Sequence, residues 1–334
     1  MYINRIPRSK SSGLVVINDI DTATTFGAVT GYYTGGVLAD NGKIYSVPYG
    51  TTYIIELDPL DNSTTLLTSP QNNYIGGVLA PNGKMYCIPF NNTAVLELDP
   101  VTKAFTTFGS LIGANKWMGG VLAPNGKIYG IPYNSTTVLE IDPVNQTATT
   151  FGSLVAGSAK WCGGVLAPNG KIYGIPRSTT TVLEIDPVAK TTTTFGSLAG
   201  ANKWIGGALA PNGKIYGIPY DSTTVLEIDP ATNTTTTFGS LAGSAKWMGG
   251  VLAPNGKIYG MPRASTTVLE IDPATKTATT FGSLAGSAGW MGGVLAPNGK
   301  IYGMPRTSNQ ALLELSPGST GFPSWYLDAK YNKF

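Results

Sequence analysis

The chain has 334 residues, 42% of them hydrophobic and only 12% charged, with a formal net charge of +3 and no histidine. That length suits two ordinary domains or one large repeat domain, and the composition excludes a disordered polyelectrolyte. The small charge excludes a basic nucleic-acid groove, and the missing histidine excludes His-based acid–base chemistry and His-ligated metals, so no metal, no cofactor and no enzymatic activity are expected.

Residues 1–13 contain Arg5, Arg8 and Lys10 but no apolar stretch of the signal-peptide kind. They are read as an N-terminal arm, and the expected location is a virion or the cytoplasm. No run approaches eighteen apolar residues, so no membrane insertion is expected. Segment 14–17 (LVVI) reads as a strand, and so does 22–27 (TATTFG). Asp19 and Asp21 between them are only a fragment of a calcium loop, without its Gly and Glu.

From there the chain repeats. Gly-Gly pairs end at Gly36, Gly77, Gly120, Gly164, Gly207, Gly250 and Gly293, which makes seven copies with a period of about 43 residues. In the third copy, Gly119-Gly-Val-Leu-Ala reads as a first strand. Pro-Asn-Gly-Lys follows, and Asn-Gly predicts a two-residue type I′ hairpin turn, because both residues tolerate positive φ. Lys127-Ile-Tyr-Gly-Ile-Pro is the second strand, ended by proline. Thr136-Thr-Val-Leu-Glu-Ile is the third, stopped by Asp142-Pro. A Thr-rich fourth strand ends at Phe151-Gly, and its hydroxyls suit an outer, wetted position.

No helical periodicity appears. Four strands per unit of this length predict an all-β, seven-bladed propeller of four antiparallel strands per blade over 14–317. A β-solenoid fits less well, since its coils are shorter. The last copy stops after a third strand, 311–316, so 22–27 is expected to supply the missing outer strand and close the ring. Because 14–17 also looks like a third strand, either it or 311–316 completes the closing blade. Residues 318–334 form a C-terminal arm.

Identical positions become rings. Lys43, Lys84, Lys127, Lys171, Lys214, Lys257 and Lys300 follow each Asn-Gly. Glu56, Glu97, Glu140, Glu184, Glu227, Glu270 and Glu314 lie on the third strands, with an Asp two residues later in six copies. Paired carboxylates on one strand face suit glycosidase chemistry. Their recurrence around the ring argues instead for Lys–Glu pairing between strands, with Asp fixing the Asp-Pro turn. Cys87 and Cys162 fall at different places in the repeat, which predicts free thiols.

One aromatic residue per copy precedes the Gly-Gly pair: Tyr33, Tyr74, Trp117, Trp161, Trp204, Trp247 and Trp290. Four of these follow a lysine, Lys116, Lys160, Lys203 or Lys246. After the second-strand proline stand Tyr49, Phe90, Tyr133, Arg177, Tyr220, Arg263 and Arg306. Both sets are expected at one end of the propeller. They are the candidate ligand or partner residues, with wedging between blades as the alternative for the Trp set. In the C-terminal arm Trp325, Tyr326, Tyr331 and Phe334 are candidates for an assembly contact.

The Gly-Gly pair, the NGKIYGIP strand pair and the VLEIDPATNTTTTF stretch resemble kelch-type propeller repeats over about residues 14–316. The resemblance implies the fold, not a function. The near-identical repeats, the Ser/Thr-rich surface and the terminal arms resemble bacteriophage virion proteins that display propellers. That resemblance implies a non-catalytic docking or surface-display subunit with protein partners. The alternative is a multivalent lectin-like propeller that binds a cell-surface glycan, one site per blade.

Overall fold

The structure, a computed structural model, describes residues 21–285 and 289–318. The third copy shows how sequence sets local structure. Its strands are Trp117–Leu122, Ile128–Pro132, Val138–Asp142 and Thr147–Phe151, paired antiparallel in that order. The inner hairpin turns through Ala123–Lys127, with Gly126 N donating to Ala123 O (3.0 Å) and Ala123 N to Lys127 O (2.9 Å). Only Gly126 is left-handed there (φ 77°), and Asn125 is not. The expected type I′ turn is therefore replaced by a three-residue loop with Gly in the αL position. Pro124 suits the first central position of a type I turn, but the first repeat makes the same loop with Asp40 there, Gly42 N donating to Ala39 O (3.0 Å) and Gly42 at φ 79°. Asn125 keeps a different role: its Oδ1 accepts from Lys127 N (3.1 Å) and its Nδ2 donates to Tyr129 Oη (2.9 Å).

Seven such four-stranded sheets form the ring. The closing blade is built from Trp290–Leu295, Ile301–Pro305, Gln310–Ser316 and, as its outer strand, Thr22–Val29 from the other end of the chain. The register runs from Thr22 opposite Ser316 to Val29 opposite Gln310, with a bulge between Phe26 and Ala28. The third strand of this blade is thus Gln310–Ser316. Segment 14–17 lies outside the described residues.

Seven hydrophobic clusters each join two neighbouring blades. In one, Val78, Tyr86, Ile88 and Val95 of the second blade pack on Trp117, Ile128, Leu139 and Ile141 of the third. An eighth cluster sits at the axis. The inner strands approach so closely there that the first glycine of the pair, at φ between 67° and 103° in all seven copies, faces its counterpart next door at close range in six of them. A Cβ on Gly76 would stand 2.7 Å from Gly119 Cα, and one on Gly119 would stand 2.9 Å from Gly163 Cα. Glycine is required here by both conformation and space.

Candidate functional site

The ring of aromatic residues before the Gly-Gly pairs is internal. Trp117, Trp161, Trp204, Trp247 and Trp290 are at most 3% exposed. Each indole Nε1 donates to a backbone carbonyl, as in Trp117 to Thr137 O (2.8 Å) and Trp204 to Thr224 O (2.7 Å). Tyr33 and Tyr74 are buried too, donating to Thr30 O (2.7 Å) and Gln71 Oε1 (2.9 Å). The wedge between blades is the arrangement seen. The cause is a register shift between Trp117 and Gly120 in the inner hairpin, repeated in the other blades. It turns the aromatic ring into the blade interface and the following residue toward the axis.

The lysines before the Trp residues are buried as well. Lys116 Nζ donates to Asn92 O (2.7 Å), Gly113 O (2.9 Å) and Phe90 O (3.3 Å), and Lys203 is held alike by Thr179 O and Gly200 O (both 2.7 Å). Burial pulls all four ammonium groups below the ordinary lysine value. They tie loops together from within.

The second set makes one continuous arc at the mouth of the axis. Tyr49 meets Phe90 edge to face at 6.1 Å, and Phe90 meets Tyr133 at 5.4 Å. The Arg177 guanidinium lies 5.5 Å from the Tyr133 ring centre and 5.7 Å from that of Tyr220. Arg263 lies 5.0 Å from Tyr220 on its other side. Arg177 also donates to Tyr133 Oη and to Asn202 Oδ1 (3.0 Å). Burial, then the charges of Arg306 and Arg177, pull Arg263 below the ordinary guanidinium value, with Tyr220 and Asp221 opposing. Among the described residues, no carboxylate forms an ion pair with Arg177, Arg263 or Arg306.

Beneath the arc lies an apolar floor of Ile75, Met118, Cys162, Ile205, Met248 and Met291. The cavity below, about 80 Å³, is lined by Thr34, Ile75, Met118, Ile205, Met248, Met291 and the glycine collar. A cavity of that size has room for a few waters. Cys162 and Cys87 are free and buried; burial pushes the Cys162 thiol up to about 12 and Cys87 higher still, so neither is a ready nucleophile.

At the opposite end the Lys and Glu rings pair across strands in all seven blades, from Lys43–Glu56 at 2.8 Å to Lys300–Glu314 at 2.7 Å. The Asp residues cap the Asp-Pro turns, as Asp142 Oδ1 accepts from Val144 N at 3.0 Å. Sequence reading did not single out a further partner. The residue four after each Asp reaches back to the preceding blade's Glu: Asn62 to Glu314, Lys103 to Glu56, Gln146 to Glu97, Lys190 to Glu140, Asn233 to Glu184 and Lys276 to Glu227. In the closing blade Asp21 takes this place beside Glu270. The candidate arm residues Trp325, Tyr326, Tyr331 and Phe334 lie outside the described residues.

This architecture defines a seven-bladed, four-stranded β-propeller. Residues 167–314 match the family model described as a repeat of unknown function (DUF6923). No curated protein matches the chain in sequence. Among solved structures, streptogramin B lyase is similar with a TM-score of 0.76 and 11% identity, over 89% of this chain and 97% of that one. A catalytically inactive virginiamycin B lyase from Staphylococcus aureus with quinupristin is similar at 0.77 and 12%, over 89% and 99%. The hydrazine synthase of Kuenenia stuttgartiensis is similar at 0.70 and 12%, over 87% and 97%. At such identities the likeness is one of fold. The kelch and bacteriophage resemblances gain no support from these comparisons. The expectation that the chain is not an enzyme is corrected by them: lyases are built on this same propeller. Missing histidine does not exclude activity, because carboxylates, lysines and tyrosines also serve as acids and bases.

Proposed function

We propose that the chain is a recognition propeller whose axial mouth takes one ligand carrying an anionic group beside a flat apolar ring. The observation that carries this reading is the convergence of Arg177, Arg263 and Arg306 without an ion-paired carboxylate among the described residues, next to the aromatic arc of Tyr49, Phe90 and Tyr133. Three cations gathered at a half-buried rim repel one another, and an anion relieves that repulsion while accepting from guanidinium forks. The Tyr and Phe edges and the Met floor suit the ring. The virginiamycin B lyase structure with quinupristin is a precedent for a small molecule on a propeller of this fold. Equilibrium dialysis with 2-naphthoate tests the reading. The wild-type chain binds it, and Arg263→Met weakens binding roughly 10-fold or more, the worth of one charge-assisted hydrogen bond. Equal binding by both chains would overturn it.

A separate observation favours a second reading, the lectin-like one, in surface grooves whose walls include Trp117 and Trp290 beside polar side chains. A groove of about 440 Å³ in the third blade is lined by Ser110, Asn134, Ser135, Thr137 and Thr150. The equivalent groove of the closing blade, about 520 Å³, is lined by Thr24, Thr25, Ser283, Thr307 and Asn309. Repeated hydroxyl and amide groups suit a neutral glycan bound at several equivalents per chain. Titration with a panel of neutral monosaccharides, repeated on Thr150→Val, tests it; no saturable binding to any member removes it. The docking subunit of a virion draws on the terminal arms and finds no support in the fold relatives.

A further inference from the structure

The ring is symmetric at its Lys–Glu end except at one place. In six junctions the residue reaching the preceding blade's Glu is neutral or cationic, namely Asn62, Lys103, Gln146, Lys190, Asn233 or Lys276, and it stands at positive φ at the end of the Asp-Pro turn. The seventh junction has no such turn, because the outer strand comes from the far end of the chain. Thr22 lies opposite Ser316, as Thr147 lies opposite Asp142, so Asp21 holds the place of Gln146. A carboxyl group therefore faces the carboxyl of Glu270 at the start of the strand that closes the propeller.

The surroundings are specific. Asp21 Oδ1 accepts from Tyr259 Oη (2.9 Å) and from the amide of Gly318 (2.6 Å), just beyond the third strand of the closing blade. Gly318 O in turn accepts from Asn255 Nδ2 (3.0 Å). Glu270 Oε1 accepts from Lys257 Nζ (2.7 Å). In ordinary blades the tyrosine hydroxyl donates to the Glu itself, as Tyr129 does to Glu140 Oε2 at 3.1 Å. Asp21 has taken that donor. The groups that bear on the pair are Lys257 and Tyr259 from the second strand of the sixth blade, Asp272 from its third, and the Gly318 amide. Thr279, opposite Glu270 on the outer strand, carries no charge.

We propose that Asp21 and Glu270 share one proton and form an acid-closed clasp on the seam of the ring. With the proton present, Glu270 donates to Asp21 and the start of strand Thr22–Val29 is pinned. Without it, two carboxylates repel across the seam, with Lys257 the one cation among the described residues that bears on both, and the strand start loosens. The directions agree. Burial, then Asp21, raises Glu270 above the ordinary carboxylic value. Burial opposes ionisation of Asp21, but the bonds from Glu270, Gly318 and Tyr259 and the Lys257 charge outweigh it and hold Asp21 low. A raised folded-state acid stabilises at low pH and ceases to as pH rises through its folded value; a lowered one does the reverse. The clasp is therefore tightest in the mildly acidic window between the two. This inference does not depend on the ligand proposed for the mouth, which lies at the other end of the axis.

Hydrogen exchange of the full chain, read on 22–29 and 310–316 and corrected for intrinsic rates, tests it. The wild-type seam opens several-fold more often at pH 8 than at pH 5, while the outer strand Thr147–Phe151 of the third blade shows no such rise. Asp21→Asn, which restores the neutral partner used in other blades, slows opening at pH 8 and flattens the profile. Glu270→Gln does the same by the other route, whereas Glu140→Gln in an ordinary blade loosens its own neighbourhood. A wild-type seam with no rise toward pH 8, or variants that keep the wild-type profile, would overturn the proposal.

Discussion

The Arg263 guanidinium lies 5.0 Å from the centre of the Tyr220 ring, and Arg177 lies 5.7 Å from the same ring. A tyrosine that is 9% exposed thus separates two cations at the rim of the axis. Its quadrupole offsets part of their repulsion. Tyr220→Leu removes that offset and leaves the blade's strands intact. The expected outcome is weaker 2-naphthoate binding with a loss of at most about 1–2 kcal/mol of stability, read by dialysis and by urea denaturation on the same preparation.

The buried indoles hold blades together. Trp204→Ala removes a core ring and the hydrogen bond from Nε1 to Thr224 O. Truncations of this size cost about 3–5 kcal/mol. A denaturation midpoint shifted accordingly, with 2-naphthoate affinity retained by the folded fraction, is the expected pair of results.

The ordinary Lys–Glu rungs make the ring sensitive to acid. Burial opposes ionisation of Glu140, but hydrogen bonds from Lys127, Lys190 and Tyr129 outweigh it and hold the carboxyl below its ordinary value. A depressed carboxyl stabilises at neutral pH, and that contribution fades as pH falls through the folded value. Thermal melts from pH 7 down to pH 3 should show falling Tm. Lys190→Met should lower the neutral-pH Tm and shrink the fall.

Two glycines with similar φ should respond differently to alanine. Gly126 (φ 77°) has open space around its missing Cβ, so Gly126→Ala costs only the backbone strain, about 1 kcal/mol. Gly119 (φ 85°) faces Gly163 Cα at 2.9 Å, so Gly119→Ala adds a steric cost of about 1–3 kcal/mol. Denaturation midpoints of the two variants compare them directly.

The blade count, the strand order and the closing role of 22–27 were legible because a Gly-Gly pair and an Asn-Gly turn recur at a fixed period. The turn type was not, because Asn-Gly serves both a two-residue type I′ turn and a three-residue loop in which the Gly alone takes positive φ. Nor was the fate of Trp117. Alternation along a strand assigns faces only while the register is regular, and the shift between Trp117 and Gly120 breaks it. That same shift sends Met118 to the axial floor. Asp21 was visible only as part of a calcium-loop fragment with Asp19. Its meaning depends on ring closure, which alone aligns it with Gln146 and Lys190. The change from Tyr and Phe to Arg around the mouth was visible, but the absence of ion pairs to these arginines among the described residues needed the fold.

Calorimetric titration of the full chain with 2-naphthoate tests the central claim most directly. The account predicts one equivalent per chain, affinity that falls as salt rises, and no binding when Arg177→Met, Arg263→Met and Arg306→Met are combined. Several equivalents per chain, or equally tight binding of the neutral alcohol of the same ring system, would contradict it.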